Sequence, residues 1–170
     1  CVSSVAVSSV SVNAKPVVTV NSGSICAGSS FTISPTGANT YTISGGSTIV
    51  SPTTTASYSV AGTSTAGCVS SVAVSSVSVN AKPVVTVNSG SICAGSSFTI
   101  SPTGANTYTI SGGSSIVSPT TTASYSVTGT STAGCVSSVA VSSVSVNAKP
   151  NVTVNSGSIC AGSSFTISPT

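Results

Sequence analysis

The chain has 170 residues, three lysines as its only charged side chains, and no Asp, Glu or His. That composition excludes carboxylate acid/base pairs, a histidine base for a nucleophile and a carboxylate cage for calcium. A net charge of +3 spread over the whole length is not the clustered basic face that nucleic acid requires.

The text repeats with a period of 68 − 1 = 67, the step from Cys1 to Cys68. Aligning 1–103 on 68–170 gives 170 − 67 = 103 pairs, of which three differ: Thr48/Ser115, Ala61/Thr128 and Val84/Asn151. End-to-end duplication serves length, spacing or avidity rather than one active site. Leu, Gln, Arg, Met and Trp are absent, while Ser and Thr crowd every copy. Val, Ile, Thr, Tyr and Phe favour strands, so the chain is expected to be all-β.

The seam Asn-Ala-Lys-Pro recurs at 13–16, 80–83 and 147–150. Proline removes a donor and fixes φ, which suits a boundary between sheet domains. The cut gives residues 1–14 as the last strand of a preceding repeat, 15–81 and 82–148 as complete repeats, and 149–170 as the start of a further one. The chain opens on Cys1 and stops at Thr170, partway through the third copy that begins at Cys135. It therefore reads as a window on a longer protein whose targeting and anchoring signals lie elsewhere.

Within 15–81 the expected strands run in chain order. Pro16–Val20 comes first, then Ser29–Ser34 with Phe31 and Ile33 inward, then Asn39–Ser44 with Tyr41 and Ile43 inward. Ser44-Gly45-Gly46-Ser47 reads as a hairpin turn. Thr48–Ser51 stops at Pro52, and Thr55–Gly62 alternates Ala56, Tyr58 and Val60. The longest run is Cys68–Val79. Its valines change face, Val72 and Val74 on one side and Val77 and Val79 on the other. A β-bulge or sheet switch at Ser75-Ser76 would bury both sets. About seven short strands separated by Gly, Pro and Ser turns predict tandem immunoglobulin-like β-sandwiches arranged as beads on a string.

Six cysteines recur at two places per repeat, Cys1, Cys26, Cys68, Cys93, Cys135 and Cys160. Regular cysteines without histidine point to disulfides in an oxidising compartment, and no zinc spacing is present. Pairing Cys26 with Cys68, and by repetition Cys93 with Cys135, closes about 42 residues and contributes roughly 4 kcal/mol in the chain-entropy model. Cys1 with Cys26 is the rival pairing, and spacing alone does not choose between them.

Further candidates are weighed residue by residue. A lysine isopeptide at Lys15 needs a neighbouring carboxylic acid, and the chain has none. No serine is singled out for a Ser–Lys dyad. Phe31, Tyr41 and Tyr58 sit in strand periods and read as core rather than as a sugar-stacking platform, with Tyr58 a candidate for a tyrosine-corner bond. The Thr-x-Thr stretches 40–42 and 63–65 belong to too long a repeat for an ice-binding solenoid.

Low charge and a mean hydropathy of +0.54 favour self-association. Lateral packing could exploit this stickiness, or O-linked glycans on Ser51, Thr53, Thr54 and Thr55, and on Thr120, Thr121 and Thr122, could solvate it; the plain alternative, of about equal weight, is that Ser and Thr merely decorate the outer faces of the strands. Asn151-Val152-Thr153 is an N-glycosylation sequon at one copy only.

The stretches SICAGSSFTISPTGANTYTIS (24–44) and TIVSPTTTASYSVAGTSTAGC (48–68), followed by a Val/Ser strand and NAKP, resemble the Ig-like or PKD-like tandem repeats of very large bacterial surface proteins. Cys26, Gly28, Tyr58, Gly67 and Cys68 occupy the matching places. The resemblance implies an extracellular β-sandwich, linked cysteines and a stalk, adhesin or fibre without catalysis. The chain departs from that pattern in having Tyr41 where a Trp is common and in lacking acids, which argues against calcium-stiffened linkers.

The expected function is a structural segment of an extracellular fibre or cell-surface stalk, self-associating and carrying covalent glycans. It needs no cofactor or metal, meets neither nucleic acid nor membrane within this segment, and is not an enzyme. The alternative is an adhesin that binds glycans through repeated weak sites. Each repeat would add roughly 35–40 Å, from about ten residues of strand at ~3.3 Å each plus the seam.

Overall fold

The computed structural model describes residues 1–169, so the last residue of the expected 149–170 segment lies outside it. The described residues form twelve strands and no helix. They divide into two compact units, residues 1–83 with 130–136, and residues 84–129 with 137–169.

In the first unit the strands are β1 (Gly23–Cys26), β2 (Phe31–Thr32), β3 (Thr40–Ile43), β4 (Ile49–Val50), β5 (Ala56–Thr63) and β6 (Ala73–Asn80). Four of them form a sheet in the order β1-β6-β5-β3, and β2 pairs with β4 in a second sheet. β1 runs parallel to β6, while β5 is antiparallel to both β6 and β3. The result is a β-sandwich, as the sequence pattern predicts.

The period-2 alternation decides which face is buried. Along β5, Ala56, Tyr58 and Val60 turn inward while Ser57 and Ser59 face out. On β3, Tyr41 and Ile43 turn inward and Thr40 and Thr42 outward. Ile33, Val60 and Val77 are fully buried in this core, as is Cys135.

The expected bulge at Ser75-Ser76 is absent. β6 pairs with β5 in an unbroken antiparallel register from Ala56↔Val77 to Val60↔Ala73. The strand keeps strict alternation, so Val74 points outward at 53% exposure and Ser75 is fully buried. Burying a hydroxyl is tolerated because Ser75 Oγ donates to the Asn21 carbonyl at 2.7 Å. A satisfied serine thus replaces the shift of register that the valines alone would demand.

Asn21 fastens the entry segment with both ends of its side-chain amide. Nδ2 donates to the Thr32 carbonyl at 2.9 Å, and Oδ1 accepts from Ser34 N–H at 2.7 Å. Through its backbone carbonyl to Ser75 it also reaches β6, so one residue ties the two sheets together. Upstream, Thr19 and Thr36 form an isolated antiparallel bridge with both backbone hydrogen bonds, and their hydroxyls lie 2.7 Å apart. The expected strand Pro16–Val20 is reduced to this bridge. Gly37 follows at φ +97°, where a Cβ would run into the Val17 carbonyl.

Two further expectations are corrected. The Gly45-Gly46 turn exists, with Gly46 N–H bonded to the Ile43 carbonyl. It does not make a hairpin, because β3 belongs to the large sheet and β4 to the small one. The tyrosine-type corner belongs to Tyr41 rather than Tyr58. Tyr41 Oη donates to the Ala38 carbonyl at 3.0 Å and accepts from Ala38 N–H at 2.9 Å.

The second unit has the same construction from β7 (Gly90–Cys93), β8 (Phe98–Thr99), β9 (Thr107–Ile110), β10 (Ile116–Val117), β11 (Ala123–Thr130) and β12 (Ala140–Asn147). Its sheets run β7-β12-β11-β9 and β10-β8. Ser142 is the buried serine, donating to the Asn88 carbonyl. Residues 1–14 carry the text of β6 but form no strand and are exposed, because strand formation needs a paired neighbour.

Candidate functional site

Two of the six cysteines meet at a junction at the end of β6. β1 and β6 run parallel in register, which sets Cys26 opposite Asn80. The Asn80 carbonyl accepts from Ala27 N–H at 2.9 Å. A turn follows Cys26, closed by Ser29 N–H to the Cys26 carbonyl, with Gly28 at φ +76° supplying the left-handed conformation.

The other half comes from residues 131–135, which belong to the first compact unit. This loop is closed by three bonds. Ser131 N–H donates to the Cys135 carbonyl, Cys135 N–H to Ser131 Oγ, and Gly134 N–H to the Ser131 carbonyl. Gly134 at φ +77° permits the turn. Cys135 Sγ lies 3.8 Å from the Asn80 carbonyl oxygen.

Cys26 and Cys135 form a disulfide, S–S 2.02 Å, with Cα atoms 5.5 Å apart and a sequence separation of 109. Cys135 is fully buried. The expected pairs Cys26–Cys68 and Cys93–Cys135 are not formed, and Cys1, Cys68, Cys93 and Cys160 are free thiols. The physical reason is direction. Each loop of the 131–135 type carries its cysteine to the seam asparagine 55 residues earlier. Asn80 ends β6, so Cys135 meets Cys26, which stands opposite Asn80 on β1, and not the cysteine 42 residues before it, Cys93. The Cys1–Cys26 alternative is likewise absent.

Both halves of the junction are built whether or not the bond closes. The loop 64–68 repeats every contact of 131–135, with Ser64 N–H to the Cys68 carbonyl, Cys68 N–H to Ser64 Oγ and Gly67 N–H to the Ser64 carbonyl. The Cys68 thiol donates to the Asn13 carbonyl at 3.6 Å. In the second unit Cys93 stands opposite Asn147, whose carbonyl accepts from Ala94 N–H. Sequence reasoning treats the seam asparagine as a boundary marker and misses its role at the junction. Its recurrence at a constant distance from the cysteines is the available signal.

The candidate modification residues are dispersed along the surface rather than gathered. Ser51, Thr53, Thr54 and Thr55 are exposed, as are Thr120, Thr121, Thr122 and Asn151. Thr55 and Thr122 already serve the backbone, accepting from Val79 N–H and Val146 N–H at 3.1 Å. Ser51 Oγ lies 3.2 Å from Ser30 Oγ. The counterparts of Asn151, Val17 and Val84, are both 79% exposed. Phe31, Tyr41 and Tyr58 are half-buried. The described residues hold no pocket and no metal-binding cluster of His, Cys, Asp or Glu. None forms a helix long and apolar enough to cross a membrane.

No family model matches the chain, and no curated protein matches it. Among solved structures, the chain is similar to the fibronectin(III)-like modules of Clostridium thermocellum CbhA, at 14% identity over 78% of this chain and 95% of that one, with a TM-score of 0.33. It is also similar to the SGBP-B protein of the Bacteroides ovatus mixed-linkage glucan utilization locus, solved in complex with a mixed-linkage heptasaccharide. There the identity is 16%, the coverage 76% of this chain and 43% of that one, and the TM-score 0.20. Superpositions this loose do not bear on function.

Proposed function

We propose that the chain is a structural segment of a long extracellular fibre or cell-surface stalk, built from tandem sandwiches, one per period, cut at the NAKP seams. The Cys26–Cys135 bond carries this reading. It joins the text of one repeat to the text of the next, so the cross-link strengthens an array rather than a catalytic centre. Structural disulfides persist in oxidising compartments, which supports an extracellular location. A chain without Asp, Glu or His has no ordinary acid/base residue for hydrolytic chemistry.

The exposed run Ser51–Thr55 and its copy at 118–122 are the proposed glycan carriers. Thr53, Thr54, Thr120 and Thr121 are the preferred sites, because no backbone group depends on their hydroxyls among the described bonds. Glycans there would offset the low charge that drives lateral association.

Electron microscopy of secreted native material tests the proposal. Unbranched filaments with a repeat of roughly 35–40 Å per sandwich are expected. Dispersed short particles that bind glycans saturably on an array would favour the adhesin instead.

A further inference from the structure

Each junction needs three parts: a seam asparagine carbonyl, a β1-type cysteine opposite it, and a loop cysteine 55 residues downstream of the asparagine. The chain holds this site three times in different states of completion. At Asn80 all three parts are present and the bond is closed. At Asn13 the loop cysteine Cys68 is already in place against the carbonyl. At Asn147 the β1-type cysteine Cys93 is already in register. The two half-sites are complementary, and their bonded and free halves share the same turns and backbone hydrogen bonds.

We infer that Cys68 and Cys93 are open ends of a disulfide ladder, in which every β1-type cysteine of a continuing array bonds the loop cysteine at the same separation of 109 that joins Cys26 to Cys135. Cys68 takes the β1-type cysteine of an earlier repeat, and Cys93 takes the loop cysteine of a later one. This rests on the fibre reading and adds its covalent wiring. Each closure removes two protons and two electrons from a pair of thiols. A low-molecular-weight disulfide accepts them and leaves as two thiols.

The wiring has a mechanical consequence. The span of 109 exceeds the period of 67, so successive bridges overlap. A bridge that ends at Cys135 is followed by one that starts at Cys160, and only 160 − 135 = 25 backbone steps separate them. One bridge and those steps together advance the chain by 109 + 25 = 134, which is two periods. With every sandwich unfolded, the steps at about 3.5 Å each and a 5.5 Å bridge extend about 93 Å per two repeats. That is roughly 47 Å per repeat, against about 235 Å for an unbridged chain. The folded repeat spans roughly 35–40 Å. Two interleaved sets of bridges therefore hold the fibre close to its folded length under tension.

Peptides around equivalent cysteines are nearly identical, so the test reads the intact mass of chains that keep only two cysteines, with serine at the other cysteine positions. Three versions of the 170-residue chain keep Cys26 with Cys135, Cys26 with Cys68, or Cys93 with Cys135. A fourth chain is lengthened by a second copy of residues 104–170, which continues the period in register, and keeps Cys93 with the loop cysteine of the appended copy. All are refolded at low concentration in oxidised and reduced glutathione, then alkylated without reduction. The first and fourth chains are expected to take up no alkyl group, and the second and third to take up two. Closure of Cys26 with Cys68 or of Cys93 with Cys135, or a fourth chain that stays open, would overturn the ladder while leaving the fibre reading intact. Alkylation of both thiols in all four chains, and of every cysteine in secreted native material, would overturn the ladder and remove the oxidising-compartment argument as well.

Discussion

The buried serine of β6 offers a sharp test of the register. Changing Ser75→Ala together with Ser142→Ala alters both complete repeats at once. Each substitution removes a 2.7 Å hydrogen bond from a fully buried hydroxyl and leaves the carbonyl of Asn21 or Asn88 without that donor. The lost bond is worth about 1 kcal/mol net, and an unsatisfied carbonyl brings the cost to about 1–3 kcal/mol per repeat. For a domain of this size, about 1 kcal/mol moves Tm by roughly 4–8 °C. The matched control is Val74→Thr with Val141→Thr, which keeps β-branching at positions about half exposed. Such surface changes stay within about 0.5 kcal/mol. Thermal unfolding of the oxidised chain, followed by far-UV circular dichroism, should show the serine pair falling well below the valine pair. A bulged strand would bury Val74 and turn Ser75 outward, and the order would reverse. A larger drop for the valine variants would therefore refute the unbroken register.

Cys135→Ser should lower stability by about 4–5 kcal/mol in the chain-entropy model for a separation of 109, read as a shift in denaturant midpoint that reducing agent reproduces in the parent chain. Gly62→Ala should destabilise by about 1–3 kcal/mol, because its Cβ would fall 2.5 Å from both Ala38 Cβ and Val18 Cγ2; equal stability of variant and parent in urea would contradict that packing. Stability should be flat between about pH 4.5 and 7, since no side chain of Asp, Glu or His is present to change its proton count there; a midpoint moving with pH in that window would contradict it. Trypsin should leave even the reduced, unfolded chain as a single band on a denaturing gel. Each lysine is followed by proline, at Lys15-Pro16, Lys82-Pro83 and Lys149-Pro150, and there is no arginine.

Much of the sandwich is legible residue by residue. The alternation of Ala56, Tyr58 and Val60 and of Tyr41 and Ile43 predicts β5 and β3 within a residue or two of their ends. β1 escapes the pattern because Gly23–Cys26 offers a single large apolar residue, Ile25, between small ones, too little for a period to register. It becomes a strand only because β6 lies beside it. The bulge follows from the valines alone. It fails because a serine with a partner can occupy a core position that counting apolar residues assigns to valine.

The cysteine pairing shows a limit peculiar to repeats. The expected separation is 68 − 26 = 42 and the observed one is 109, a difference of one period, 109 − 42 = 67. In a chain whose local text returns once per period, every short-range signal is identical at each copy. The turn at Gly28, the loop at Ser64 and its twin at Ser131 can be read from any one of them. A long-range partner is defined by the text only up to a whole number of periods. Which copy supplies it depends on where the loop cysteine is carried in space, and here Cys135 is carried to Asn80 at the end of β6. The same ambiguity turns an expected bridge within the text of one repeat into a bridge that joins the text of two. In the proposed ladder this bond would limit how far an array can stretch, while it also staples the compact unit in which both of its cysteines lie.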